Sequence, residues 1–343
     1  MCRDDGRTLR AFSFAETDAG RRAPRTRSST LPGPGGTASP TVGAGSEFRG
    51  VRRAALLAAL EGALPSGVVV RGSRVVGVRN PGNLGRGEWA VAETEDGSQI
   101  EAGVLVGCDG VRSPVASALA LSIPNYSGYT AYRGVCKLPG GIASIGLPSD
   151  TIRQVLGKGV RAGLYPLSSD ELYWFTCYNA PENAPWPPTP EAMQDEALDL
   201  VAGWSWGLEA AIEATPPEGV SRSRIVDRWT TGPFGRGLTT LCGDAAHPMT
   251  PNLGQGGCTA LEDAVVLARS LAVGGPTEAV LREYERLRAS RCLPLTMRSY
   301  AMGTLLQLPQ DQVCAVRDMV VSKAFSPGHF LDHTTYDCGT LPI

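Results

Sequence analysis

The run Leu238-Thr-Thr-Leu241-Cys242-Gly243-Asp244 passes without interruption from an apolar strand pattern into a glycine and a carboxylate. It continues through Ala-Ala-His247-Pro248-Met-Thr-Pro251-Asn-Leu253-Gly254-Gln255-Gly256-Gly257 into a helical pattern over Cys258 to Leu271. An apolar strand of this kind suits a parallel sheet covered on both faces, and it delivers Asp244 to the carboxyl edge of that sheet. A carboxylate there can accept hydrogen bonds from a ribityl or ribose hydroxyl, while Gly243 lets the backbone approach closely. Gly254 to Gly257 then open a helix whose free N–H groups and positive dipole end favour an anion or an electron-rich carbonyl. The plainer alternative is a glycine-rich left-handed turn ahead of an ordinary helix, and the coincidence of so many elements weighs against it.

A second stretch repeats the logic. Leu105-Val106-Gly107-Cys108-Asp109-Gly110-Val111-Arg112-Ser113 is again strand, glycine, carboxylate and glycine, followed by a helix with Ser113 as its cap and Pro114 in its first turn. Asp-Gly is also a common turn dipeptide, so a plain turn and a ligand site stand equally at this position. Two such exits predict that Leu105 to Gly107 and Leu238 to Gly243 are neighbouring strands ending at one edge.

Composition narrows the class of protein. The 343 residues are 42% apolar and 19% charged, with 32 Lys and Arg against 34 Asp and Glu, so the net charge is −2. Such a chain has the apolar mass for a real core and is neither fibrous nor disordered overall. Near-neutrality argues against nucleic acid or anionic lipid as a partner and for a small ligand. No apolar run approaches the ~18 residues that cross a bilayer, so no transmembrane segment is expected. The nine cysteines lie far apart, the nearest two in sequence being Cys242 and Cys258, and no CxxC pair occurs. A zinc site or disulfide framework is therefore not expected; reduced thiols are.

Along the chain, Met1 to Gly6 carries no apolar core of a secretory signal. A short strand is expected at Thr8 to Ala15, and Arg21 to Ser46, rich in Ser, Thr, Pro and Gly, reads as a flexible insertion. Leu56, Leu57, Leu60 and Leu64 predict a helix ending at Pro65, with strands at Val68 to Arg71, Val75 to Arg79, Glu88 to Glu93 and Gln99 to Val106. Tyr126 to about Arg228 changes texture: alternating strands at Tyr129 to Lys137, Val160 to Tyr165 and Leu172 to Tyr178 form a second, mostly antiparallel layer, with helices near Pro190 to Ala202 and Trp206 to Thr215. From Gly257 to Ser322 the chain is expected to be mainly helical.

These motifs resemble the flavin-dependent monooxygenases of the para-hydroxybenzoate hydroxylase type, and within them the plant monooxygenase and zeaxanthin epoxidase branch. Glu47 to Leu57 resembles the Arg-x-x-Leu helix, with Arg53 as the arginine beside the cofactor. Gly107 to Ser113 is similar to the Asp-Gly motif linked to FAD and NAD(P)H, and Gly243 to Gly257 to the Gly-Asp motif on the ribityl chain. Asn125 to Gly134, Gly157 to Gly163, Tyr173 to Phe175 and Asp337 to Leu341 resemble the plant branch. No Gly-x-Gly-x-x-Gly stretch precedes Glu47 in this sequence, and Ala116 stands where the family carries an arginine after Ser-x-Val.

The resemblance implies an α/β fold: an incomplete FAD/NAD(P)-binding, Rossmann-like domain with an inserted, mostly antiparallel β-sheet substrate layer and C-terminal helices. It divides the chain into a flexible segment (1–46), an FAD-binding domain (47–125 and 229–300), a substrate-binding layer (126–228) and a C-terminal helix and tail (301–343). The implied cofactor is FAD, with NAD(P)H as co-substrate and O2 as oxidant, acting on an aromatic or olefinic small molecule. The implied cofactor-binding residues are Arg53, Asp109, Gly110, Gly243, Asp244, Pro251, Leu253, Gly254, Gln255 and Gly256. Arg133 and His247 are the polar groups nearest the expected flavin edge, and neither is assigned a catalytic role. The alternative is a catalytically silent relative that binds a small molecule or a partner. Cytoplasm and plastid both remain open as locations; secretion is not expected.

Overall fold

The computed structural model describes residues 1–11, 50–79, 89–323 and 332–339. Its largest element is a six-stranded sheet in the order β1-β7-β8-β9-β6-β10. The strands are β1 (Cys2–Arg3), β6 (Asn125–Lys137), β7 (Arg153–Leu156), β8 (Val160–Pro166), β9 (Glu171–Asn179) and β10 (Ser221–Asp227). All pairings are antiparallel except that of β1 with β7. The two-residue alternation read from the sequence sorts side chains to opposite faces. Tyr132, Cys136, Leu172 and Trp174 face a core closed by the helices α3 (Pro190–Asp199) and α4 (Leu208–Glu213). Tyr129, Ala131, Phe175 and Cys177 form the opposite face, with Tyr165 and Tyr173 packed beside them.

A second core surrounds two short parallel strands, β5 (Leu105–Gly107) and β11 (Thr239–Leu241). They pack with α2 (Pro114–Ala118), α5 (Gly256–Gly274) and α6 (Glu278–Leu306) around Val115, Leu241, Val266, Leu281 and Tyr284. The helix α1 (Arg53–Gly62) and the antiparallel strands β2 (Val75–Arg79), β3 (Ala90–Thr94) and β4 (Gln99–Ala102) precede β5; α7 (Asp311–Lys323) follows α6. Helix starts follow the expected chemistry: Ser113 Oγ accepts the Ala116 amide at 2.8 Å with Pro114 next to it, and Thr189 caps α3 in the same way.

Several expectations are corrected. Residues 1–11, placed in a flexible segment, are built into the large sheet: Cys2 pairs with Val155 and is 7% exposed, and Arg3 forms an ion pair with Asp318. The strand expected at Thr8 to Ala15 is reduced, among its described residues, to a single bridge between Thr8 and Cys2. Gln99 to Val106 is two strands in two sheets, β4 antiparallel to β3 and β5 parallel to β11, because the chain turns at Gly103. Val68 to Arg71 forms no strand; its valines are exposed, and without a neighbouring strand among the described residues β propensity leaves the ladder unmade. Arg21 to Ser46 lies outside the described residues.

The helix α1 contains no buried residue, and Leu57 and Leu60 are about half exposed. Its start is tied to the large sheet by an ion pair between Arg52 and Glu171 at the head of β9.

Candidate functional site at the shared edge of β5 and β11

The two exits read from the sequence meet. In the parallel pair, Leu241 lies opposite Gly107, and the Cys242 amide donates to the Gly107 carbonyl at 2.9 Å. Asp109 and Asp244 therefore leave the sheet at one edge, although more than a hundred residues separate them in the chain. Sheets of this type bind ligands outside the carboxyl ends of their strands.

The two carboxylates differ in what they do there. Asp109 Oδ2 accepts the Val115 amide at 3.2 Å, so it helps to cap α2 while remaining exposed; Gly110, at φ +80°, makes the turn that leads to Ser113. Asp244 is exposed and has no hydrogen-bond partner among the described residues. The turn crowds it enough for desolvation to push its carboxyl pKa up, against the opposing charges of His247 and Arg53. Arg53, exposed at the start of α1, is thus electrostatically within reach of Asp244.

Asp244 also faces the opening of α5. A Cβ added at Gly256 would stand 3.7 Å from Asp244 Oδ1, and no side chain caps this 19-residue helix. The approach is made by a turn at Pro251–Leu253 that buries Leu253 and ends at Gly254, whose φ of +65° suits a residue without a Cβ. Gln255 is buried, and its carbonyl accepts the Thr259 amide at 2.8 Å. A free helix N-terminus and an unpartnered carboxylate thus lie side by side, one suited to an anion or carbonyl and the other to hydroxyl donors.

Behind this edge lies a network that the sequence did not disclose. Asp263, on α5 and fully buried, accepts the Gly243 amide at 2.7 Å and contacts His247 Nε2 at 2.8 Å through the same oxygen. Its other oxygen accepts from Arg288 Nε on α6, also fully buried, and Arg288 reaches Glu262 as well. Burial tends to neutralise these groups, but the mutual charges win: Asp263 is held below the usual carboxylate range, and His247 is pushed up to about 10. His247 is therefore a buried structural cation, 2% exposed, rather than a group at the site's open edge. The one hint in the sequence was the pair Glu262-Asp263 within a helix whose only other charged residue is Arg269.

A second buried cluster joins this edge to the large sheet. Asn252 accepts from Arg161 on β8 and donates to Tyr129 on β6 at 3.1 Å, to Thr250 and to the Ser299 carbonyl of α6. The sheet face beyond it is aromatic, with Tyr165 5.9 Å from Tyr173 and 6.0 Å from Phe175 between ring centres. Arg133, half-buried on β6, donates to Ser223.

The class defined by this fold and edge is a dinucleotide-binding α/β protein with an inserted antiparallel layer. The profile of the family described as FAD binding domain matches residues 56–299, and the chain belongs to that family. It is 38% identical over 255 residues to the aurachin C monooxygenase/isomerase of Stigmatella aurantiaca, covering 74% of this chain and 63% of that protein. It is 31% identical over 317 residues to monooxygenase 1 of Arabidopsis thaliana, covering 86% and 77%. The Klebsiella pneumoniae HpxO structure, complexed with FAD and uric acid, superposes with a TM-score of 0.66 at 26% identity, over 77% of this chain and 65% of that one. The chain thus spans somewhat less than two thirds of the length of the first and third of these proteins.

Proposed function

We propose that this chain carries the flavin edge and substrate layer of an FAD-dependent monooxygenase that uses NAD(P)H and O2 to hydroxylate or epoxidise an aromatic or olefinic small molecule. The observation that carries the reading is Asp244, which has no hydrogen-bond partner among the described residues and stands at the shared exit of β5 and β11 against the uncapped start of α5. The residues fit the cofactor: Asp244 would accept from its hydroxyls, and Gly254 to Gly256 would bring backbone amides and the helix dipole to its electron-rich end. Arg53 would add a positive charge beside Asp244, while Asp109 and Gly110 would close the other exit. FAD, when bound, supplies the redox chemistry, and the protein supplies position and electrostatics.

The sheet face beyond Asn252 supports the substrate class. The half-buried rings of Tyr165 and Tyr173 lie over the buried Tyr129 and Phe175, with Arg161 5.4 Å from the Phe175 ring centre, and such rings would pack a flat apolar molecule and exclude water from it. His247 and Asp263 are buried and engaged with each other, and Asp263 with Arg288, so they hold the edge in shape.

Titration of the purified protein with FAD, followed by flavin absorbance and fluorescence, tests the reading. Saturable binding together with NAD(P)H oxidation on addition of FAD is expected. Absence of FAD binding by both this protein and its Asp244→Ala variant would replace it with the silent small-molecule or partner-binding relative.

A further inference from the structure

The register that aligns the two exits also pairs two cysteines. Leu241 lies opposite Gly107, so the next positions, Cys242 and Cys108, stand side by side as the strands end. Cys242 keeps an extended backbone (φ −132°, ψ 151°), and its amide is bonded to Gly107, so the strand spacing persists to this point. Neighbouring strands lie about 4.8 Å apart, inside the range of roughly 4.4–6.8 Å over which two Cα atoms can be bridged by a disulfide. Side chains at facing positions of parallel strands leave the sheet on the same side.

We propose that Cys108 and Cys242 form a peroxide-reactive dithiol site that closes to a reversible disulfide across the shared edge of β5 and β11. The two thiols have unequal roles. Cys108 is exposed, whereas Cys242 is buried, with its Sγ 3.0 Å from the Tyr284 hydroxyl. The thiols interact, which holds Cys108 below and Cys242 above the ordinary thiol range. Cys108 is thus the attacking thiolate and Cys242 the resolving thiol.

The oxidant is hydrogen peroxide. The Cys108 thiolate attacks one peroxide oxygen, the O–O bond breaks, hydroxide leaves, and Cys108 becomes a sulfenic acid. Cys242 sulfur then attacks the Cys108 sulfur, the S–O bond breaks, and the oxygen leaves as water with the Cys242 proton. The hydroxide from the first step takes up the proton originally lost by Cys108. In sum, two thiols lose two electrons and one peroxide becomes two waters. The bridge lies one residue before Asp109 and two before Asp244, so it fixes the distance between the two exits. Cys258, the other exposed cysteine among the described residues, has a thiol pushed up by burial and serves as the internal comparison.

The test is non-reducing peptide mapping by mass spectrometry of the reduced protein after graded hydrogen peroxide and alkylation; it requires no cofactor and is independent of the FAD reading. The expected result is a cross-linked pair carrying Cys108 and Cys242, formed at lower peroxide than any change at Cys258 and reversed by dithiothreitol. In Cys242→Ser the cross-link is lost and Cys108 continues to the sulfinic acid; Cys108→Ser, at an exposed position, leaves Cys242 alkylatable and provides the same contrast if the buried variant does not fold. Sulfinic acid at Cys108 of the unaltered protein with Cys242 still alkylatable, oxidation of Cys258 ahead of Cys108, or no change at either thiol would each overturn the proposal.

Discussion

The carboxylate of Asp263 holds the amide of Gly243 at 2.7 Å, and through it a residue twenty positions downstream fixes the turn on which Asp244 is presented. The same carboxylate carries His247 and Arg288, so the turn is anchored by three buried groups drawn from two helices and a loop. Replacing Asp263 by Asn leaves two buried cations short of their partner, a loss of about 3–5 kcal/mol. Urea denaturation should show this as a lowered midpoint with little change in slope, and an unchanged midpoint would mean that the network does not hold the fold.

The pH dependence of stability follows from the same pair. The His247 pKa is raised from 6.5 to about 10 on folding, so its contribution is complete below pH 6.5, declines above it and is gone by about pH 10. Asp263 is lowered, so its contribution is complete above its ordinary value of 3.8 and lost as the pH falls below it. Unfolding free energy measured against pH should therefore decline from pH 6.5 towards 10, and His247→Gln should flatten that slope. An equal slope in both proteins would place the titrating group elsewhere.

Asp244 is expected to behave in the opposite way. With no hydrogen-bond partner among the described residues to lose, Asp244→Ala should leave the thermal midpoint of the ligand-free protein nearly unchanged. The loss of a charge-assisted hydrogen bond to FAD, about 1.5–3 kcal/mol, should weaken binding roughly ten- to a hundredfold. Equal FAD binding by both proteins would remove Asp244 from the site.

Two glycines separate backbone strain from crowding. Gly243 and Gly254 both have left-handed backbones, at φ +60° and +65°. Alanine at either costs about 1–2 kcal/mol. A Cβ at Gly243 would also stand 3.1 Å from Ala260 Cβ, whereas at Gly254 no atom of the described residues lies within 4 Å. Gly243→Ala should therefore lower the thermal midpoint more than Gly254→Ala, and the reverse order would contradict the packing of the turn against α5.

Asn252 links the large sheet to this edge. Asn252→Ala leaves the buried Arg161 without its carbonyl partner and removes one of the hydrogen bonds to Tyr129, a loss of about 2–3 kcal/mol. Calorimetry should show a lowered midpoint for the whole molecule; an unchanged one would show that the sheet and the edge are not joined there.

The local order of the chain determined much of this. Leu238 to Gly257 identified a strand, a carboxylate and a glycine-opened helix, because each carries its signal within a few residues: apolar continuity, a glycine where the backbone must turn left-handed, and no capping side chain. Ser113 with Pro114 located a helix start for the same reason. The alternation in Tyr129 to Lys137 and Leu172 to Tyr178 likewise sorted one face from the other. Only the tertiary structure decided what crosses the chain. That Asp109 and Asp244 share an edge became definite through the pairing of Leu241 with Gly107, since strand register depends on partners distant in sequence. Cys2 and Arg3 joined the large sheet for the same reason, whereas Val68 to Arg71, with the higher β propensity, has no strand neighbour among the described residues. Asp263, Arg288 and His247 lie in three separate stretches, Asp263 beside Glu262 and Arg288 in a charged run, and no local pattern distinguishes a buried ion pair from a solvated one. Their meaning comes from the distance between them, which the fold alone sets.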